Sequence, residues 1–261
     1  MSVPISVVDA FTDTAFRGNP AAVCQLEAAA PDRWMQSVAA EMNLAETAFV
    51  VPRDAGEWDL RWFTPTVEVD LCGHATLAST HILGQPARFH TRSGVLSCTP
   101  AAGGWIEMDF PALAPKAAAA DAGLLRALGT ADVYAVATSR FDLLVELGSA
   151  EAVRSLDPDL GALRSLGSRG VIVTAPGDSE GIDMVSRFFA PGSGIDEDPV
   201  TGSAHCVLAP FWAARTGRTS LVGYQASRRG GTVRMRLEGD RVILGGRAVT
   251  VWDGTLHSAP N

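Results

Sequence analysis

Lysine is almost missing from this chain: Lys116 is the only one among 21 basic residues. It lies in Pro115-Lys116-Ala117-Ala118-Ala119-Ala120, which reads as a connector and not as a pocket wall. Schiff-base and pyridoxal chemistry need a desolvated lysine amine, so neither is expected. No GxxxxGK[ST] and no GxGxxG string occurs, which removes the usual nucleotide fingerprints. The four cysteines (Cys24, Cys72, Cys98 and Cys206) include no CxxC pair. They are too few for a disulfide scaffold in 261 residues and wrongly spaced for a structural zinc site. No apolar run approaches the roughly 18 residues of a membrane span. Met1-Ser2-Val3-Pro4 offers neither a basic nor an apolar leader region, so a cytoplasmic protein away from membranes is expected. Acidic residues outnumber basic ones 29 to 21, a net charge of −8. That surface repels phosphate backbones, and nucleic acid is not an expected partner.

What is present is a succession of short β-branched and aromatic runs bounded by Gly, Pro and Asp. In the first half these are 5–8, 21–26, 47–51, 60–63, 88–90, 95–99 and 104–110, each predicting a strand. Two helices interrupt them. Residues 32–43 begin with an N-cap candidate, Asp32 after Pro31, and carry Trp34, Val38, Ala39 and Met42 on one stripe. Residues 73–83 are small and apolar all round, the pattern of a buried helix. The Pro- and Ala-rich stretch from Pro111 to Ala120 has the least structured texture of the chain, so the predicted domains are 1–113 and 114–261, with the last strand free to return to the first lobe. The second half predicts helices near 121–128 and 203–216, and strands at 133–137, 141–146, 171–175, 184–189, 232–238, 241–245 and 248–252.

One correspondence between the halves is sharper than texture. Arg61-Trp62-Phe63-Thr64-Pro65 leads into Gly73-His74-Ala75, as Arg187-Phe188-Phe189-Ala190-Pro191 leads into Gly202-Ser203-Ala204. Both read as strand, proline turn, acidic loop, then a glycine opening a small-residue helix. An internal duplication accounts for this economically. It predicts two similar α+β lobes with a helix N-terminus on each wall of a cleft between them.

The candidate chemistry clusters at those helix starts. Glu46 shares a strand face with Leu44, Ala48 and Val50, so it is either a carboxylate held on an apolar surface, fit to carry protons near neutral pH, or a strand-edge cap. Asp70-Leu71-Cys72-Gly73-His74 places a histidine beside free helix N–H groups, which favour bound anions and a neutral imidazole. His81, two turns on, makes a metal pair with His74 conceivable, but no third ligand is apparent and no metal is expected. In Asp196-Glu197-Asp198-Pro199-Val200-Thr201-Gly202-Ser203, the acids either complement the helix dipole or bring Asp198 and Ser203 to a substrate. Gly177-Asp178-Ser179-Glu180-Gly181 spells a nucleophile elbow, but it joins strand to strand, whereas an elbow needs a strand-to-helix turn.

Taken together, Gly18-Asn19-Pro20-Ala21-Ala22-Val23, Met42-Asn43-Leu44-Ala45-Glu46-Thr47-Ala48-Phe49-Val50, Phe63-Thr64-Pro65 with Leu71-Cys72-Gly73-His74-Ala75-Thr76-Leu77-Ala78, and Glu197-Asp198-Pro199-Val200-Thr201-Gly202-Ser203-Ala204 resemble the PhzF-like family of phenazine-biosynthesis isomerases. The resemblance implies an α+β fold of two similar lobes, each a central helix wrapped by a mainly antiparallel sheet, as in diaminopimelate epimerase, with the active site between them. It implies a cofactor-independent isomerase, in which one glutamate takes a proton from one carbon of dihydro-3-hydroxyanthranilate and returns it to another. Glu46 matches that glutamate, and His74 and Asp198 match the assisting polar groups. Gly73, Gly202, Ser203 and Asn19 are the expected contacts to a small carboxylate-bearing substrate, and a homodimer is the expected assembly. Epimerase relatives on this fold use a cysteine before each helix. Here Cys72 holds the first such position and Thr201 the second, and a threonine hydroxyl is too weak an acid or base for two-base racemisation. The alternatives are an amino-acid racemase or epimerase using Cys72, and a binding protein that kept the fold without the chemistry.

Overall fold

Short β-branched runs bounded by turn residues become strands here, and nearly all of them find partners. The structure is a computed structural model that describes residues 2–54 and 56–260. In chain order the elements are β1 (Val3–Ala10), β2 (Asn19–Gln25), α1 (Asp32–Met42), β3 (Glu46–Pro52), β4 (Glu57–Phe63), β5 (Glu68–Val69), α2 (Gly73–Leu83), β6 (Ala87–Thr91), β7 (Gly94–Ala101) and β8 (Trp105–Pro111). They continue with β9 (Lys116–Ala118), α3 (Ala122–Leu128), β10 (Val133–Thr138), β11 (Asp142–Leu147), α4 (Ala150–Ser155), α5 (Leu160–Arg164), β12 (Gly170–Pro176) and β13 (Met184–Phe189). The last are α6 (Gly202–Thr216), β14 (Ser220–Gln225), β15 (Gly231–Glu238), β16 (Arg241–Gly246) and β17 (Ala248–Leu256). The chain divides into two compact units, Met1–Asp109 with Gly245–Asn261, and Phe110–Leu244.

In the first unit β1 pairs antiparallel with β2 on one side and with β17 on the other. The ladder continues with β2 parallel to β3, β3 antiparallel to β4, β4 parallel to β6, and β6, β7 and β8 antiparallel in turn. Helix α1 covers one face: Trp34, Met35, Val38 and Ala39 pack with Ala22, Cys24, Phe49 and Phe63. Its first helical residue is Asp32, and the N-cap position is Pro31, which makes no side-chain cap. The aspartate expected to cap this helix instead sits in its first turn, where its charge suits the dipole and pairs with Arg61 at 2.7 Å. Helix α2 packs against β1, β2, β3, β7 and β17, so the sheet wraps it. Its buried hydroxyls are satisfied within the helix, Thr76 by Cys72 O, Ser79 by Ala75 O and Thr80 by Thr76 O.

The second unit repeats the ladder. β10 is antiparallel to β11, β11 parallel to β12, β12 antiparallel to β13, β13 parallel to β14, and β14 antiparallel to β15. Leu124, Leu128, Val153 and Leu163 from α3, α4 and α5 pack on Val145, Val171, Val173 and Val185. Buried α6 packs on β14 and β15 and runs to Thr216 through Pro210. The alanine-rich connector contains β9, which pairs antiparallel with β10. Its composition carries no strand signal, and the edge of β10 supplies the partner. Helices α4 and α5 are likewise absent from the sequence expectations, because at six and five residues they are too short for helical periodicity to register, and β14 is absent because Gly223 interrupts its apolar run.

Candidate active site

The strand that carries Glu46 is set up by a backbone reversal. Helix α1 ends at Asn43 in the left-handed region (φ 50°), which turns the chain directly into β3. Phe49 faces α1, so by alternation Glu46, Ala48 and Val50 face the other way, toward α2. Ala48 and Val50 are essentially inaccessible, and the Glu46 side chain keeps 12 % of its surface. On the neighbouring strand Gly18 (φ 62°) closes the turn into β2. A Cβ there would lie 2.1 Å from the carbonyl oxygen of Ala10, so only glycine fits. The turn brings Asn19, fully buried, to the same helix end.

Four side chains meet at the start of α2. His74 Nε2 is 3.2 Å from Glu46 Oε2, and His74 Nδ1 is 3.2 Å from the side-chain nitrogen of Asn19. An amide nitrogen can only donate, so Nδ1 accepts and Nε2 carries the proton toward Glu46. Burial lowers the His74 pKa to about 3, which keeps the ring neutral at physiological pH. Cys72 Sγ lies 3.5 Å from Nδ1 and 4.0 Å from Nε2 of the same ring. Gly73 opens α2, and its N-cap, Cys72, makes no side-chain cap, so the first N–H groups keep their capacity for an external acceptor. His81 is not drawn into this group; its Nε2 bonds Thr250 Oγ1 at 3.0 Å.

In the second unit the start of α6 collects Asp198, Thr201, Gly202 and Ser203. Thr201 Oγ1 donates to Asp198 Oδ2 at 2.5 Å, and Gln225 locks both: its Oε1 accepts from Thr201 N and its Nε2 donates to Asp198 O. Ser203 Oγ accepts from Arg169, whose guanidinium also grips the buried Asp142. Gln225, Arg169 and Asp142 escaped the sequence reading because they lie 20 or more residues from the Gly202-Ser203 string, Gln225 and Asp142 on strand ends and Arg169 just before β12, where only the fold defines the pairing. Ser179, set aside in the sequence, bonds its own neighbour Asp178 in a turn between β12 and β13. A cavity of about 330 Å³ in the first unit, lined by Met35, Phe49, Leu60, Arg61, His90 and Arg92 among others, holds none of the expected site residues. Its Arg61, His90 and Arg92 side chains are engaged by Glu57 and Glu68.

Register makes the internal repeat residue-specific. Thr47 pairs with Phe63 and Phe49 with Arg61, as Val171 pairs with Phe189 and Val173 with Arg187. The equivalent arginines each grip an equivalent glutamate through two nitrogens, Arg61 with Glu68 and Arg187 with Glu197. On this register Cys72 corresponds to Thr201, Val69 to Asp198, and Glu46 to Gly170.

The phenazine biosynthesis-like family PhzC-PhzF matches residues 8–254 of the chain. The protein belongs to this family. An uncharacterized isomerase of Halalkalibacterium halodurans is 49% identical over 260 residues, covering 96% of this chain and 97% of the relative. Phenazine biosynthesis-like domain-containing protein 1 of Mus musculus is 41% identical over 98% of this chain and 99% of its own. The crystal structure of a phenazine biosynthesis protein of the PhzF family from Enterococcus faecalis superposes with a TM-score of 0.94 at 42% identity, covering 99% of this chain and all of that one. The fold is the α+β, diaminopimelate epimerase-like fold of the PhzF family, and membership supports an isomerase of the PhzF type. Among the described residues, no helix is long and apolar enough to cross a membrane.

Proposed function

We propose that this PhzF-family protein is a cofactor-independent isomerase that moves a proton on a small carboxylate-bearing molecule, with Glu46 as the general acid and base. The observation that carries this reading is the pairing of a nearly buried Glu46 carboxylate with a neutral His74 at 3.2 Å, beside an uncapped helix end. A carboxylate on an apolar wall, hydrogen-bonded by an N–H that stays neutral, can accept a carbon-bound proton and return it without a metal or a second base. The register supports a single base, because the second unit has Gly170 where Glu46 stands. A side chain there would run into the Phe188 ring at 2.3 Å.

In this mechanism His74 orients Glu46 through its Nε2–H, and Asn19, expected as a substrate contact, is fully buried and acts by fixing the tautomer of that ring. Asp198 is the second polar assistant, held by Thr201 and the Gln225 amide. The amide ends at Gly73 and at Gly202 and Ser203 receive the anionic groups of the substrate, since neither α2 nor α6 has an acidic residue in its first turn or a side-chain cap. Isomerisation of a dihydro-3-hydroxyanthranilate-like substrate is the reaction that family membership suggests. A racemase using Cys72 gains less support: its opposite number, Thr201, is tied to Asp198. The homodimer implied by the resemblance is testable by light scattering in solution.

The deciding experiment incubates wild type and Glu46→Gln with dihydro-3-hydroxyanthranilate in D₂O and follows deuterium entry and the product spectrum. Exchange by wild type alone is expected. Undiminished exchange in Glu46→Gln would remove the acid/base role, and exchange lost only in Cys72→Ala would favour the racemase.

A further inference from the structure

Sequence spacing gives no metal site, because it pairs His74 only with His81. The fold gives His74 different company. One donor atom each from Glu46, Cys72 and His74 lies within 4.8 Å of the others. We propose that Glu46, Cys72 and His74 form a three-ligand binding site for a divalent ion of the zinc class. Zinc bond lengths of about 2.0–2.3 Å in a tetrahedron separate nitrogen from oxygen by about 3.3 Å and nitrogen from sulfur by about 3.5 Å. The structure has 3.2 Å from His74 Nε2 to Glu46 Oε2, and 4.0 Å from Nε2 to Cys72 Sγ. Sγ now lies nearer Nδ1, at 3.5 Å, so the cysteine side chain has to turn about its Cα–Cβ bond to bring the sulfur past the ring edge to an ion on Nε2.

The donor set also chooses the ion. A thiolate with an imidazole favours zinc and its neighbours over magnesium and calcium, which take oxygen ligands. Three protein ligands leave a fourth position for water or a substrate oxygen, the composition of an open site and not of a closed structural one. The Asn19 amide beside Nδ1 becomes the outer-shell partner of a ligating imidazole once the ring proton moves to Nδ1 and the amide turns its oxygen toward it. On binding, the thiol proton of Cys72 passes to solvent, and charge balance is met by thiolate and carboxylate. Where the proposed acid/base role of Glu46 holds, an ion at this site occupies the base and stops turnover, so zinc acts as a reversible inhibitor; the binding itself does not depend on that role.

Chelator-stripped wild type is titrated with Co²⁺. A near-ultraviolet thiolate-to-cobalt band, visible absorption of four-coordinate intensity, saturation at one ion per chain and displacement by Zn²⁺ but not Mg²⁺ are expected. Cys72→Ser loses the band, and Cys72→Ser and Glu46→Gln each weaken Zn²⁺ binding by at least about tenfold. His81→Ala binds as wild type does. Circular dichroism establishes that each variant is folded, and Glu46→Gln decides if Cys72→Ser is not. No thiolate band at saturating Co²⁺, a band that survives in Cys72→Ser, or unchanged Zn²⁺ affinity in Glu46→Gln overturns the proposal. A band in wild type with full proton exchange in Glu46→Gln keeps the metal site and removes the acid/base reading; no band with an inactive Glu46→Gln does the reverse.

Discussion

The two units are built on the same ladder, yet their helix starts carry opposite kinds of chemistry. At the head of α2 an acidic strand residue, Glu46, meets a neutral imidazole. At the head of α6 the equivalent strand position is Gly170, and the neighbouring Arg169 reaches Ser203 instead. The backbone frames are alike: Cys72 and Thr201 are both extended N-caps without side-chain caps. Even the carbonyls of these caps are covered from the same place one turn on, by Thr76 in α2 at 2.6 Å and by His205 in α6 at 2.8 Å. The two units thus share the parts that build a helix end, the Arg–Glu clamp and the glycine, and differ in the side chains gathered at that end. A shared scaffold with divergent tips is how one fold comes to carry several chemistries.

Breaking that comparison starts with the tips. Glu46→Gln should lower kcat by about 10²- to 10⁴-fold, the usual range for a general base, with an unchanged circular dichroism spectrum. Asp198→Asn, in the other unit, should cost about 10- to 100-fold, chiefly in kcat/KM, because it weakens one charged hydrogen bond and removes no base. Equal losses in the two variants would mean that the units share the proton-transfer step.

The clamps come next. Arg187 is the more buried of the pair, and besides Glu197 it donates to the carbonyl of Leu156 at the end of α4. Arg61 is more exposed and reaches the first turn of α1. Chemical denaturation should find Arg187→Ala destabilised by about 3 kcal/mol, against about 1 kcal/mol for Arg61→Ala, since losing Arg187 strips both Glu197 and the Leu156 carbonyl of a donor, whereas Glu68 keeps Arg92.

Acidification probes both units at once. Burial lowers the pKa of His74 to about 3 and that of His205 to about 4, against 6.5 for the free side chain. Between those values and 6.5 the unfolded chain binds protons that the folded one does not. The stability contributed by each neutral imidazole is therefore complete above pH 6.5 and is lost as the pH falls toward 4. Urea unfolding at pH 7 and pH 4.5 should differ by a few kcal/mol, and His205→Asn should flatten that slope. The smallest effect is expected at the carbonyl covers: Thr76→Val leaves Cys72 O with only its backbone donor, and should cost about 1 kcal/mol in thermal or urea unfolding.

Much of this was legible in the chain. Helix α2 declared itself by small apolar residues between Gly73 and Leu83, and the repeat by RWFTP and RFFAP, because those segments are fixed by local steric and burial rules. The strings around Asn19, Glu46, Gly73 and Gly202 sufficed for the family. Other features were not legible for equally physical reasons. Asp32 reads as a cap by residue type, but Pro31 takes that position and Arg61, 29 residues away, takes the carboxylate. Lys116–Ala118 becomes a strand only because β10 offers an unpaired edge. His81 looked like the companion of His74 by helical spacing, whereas the real neighbours, Glu46 and Asn19, come from other strands.

The sequence by itself determined which segments turn, which bury and which family they spell, since propensity and periodicity act over a few residues. The tertiary structure alone decided that Glu46 faces His74 and Cys72, and that Gly170 holds the equivalent strand position in the second unit. Those are contacts between strands and helices, set by parallel pairings whose register no local rule encodes.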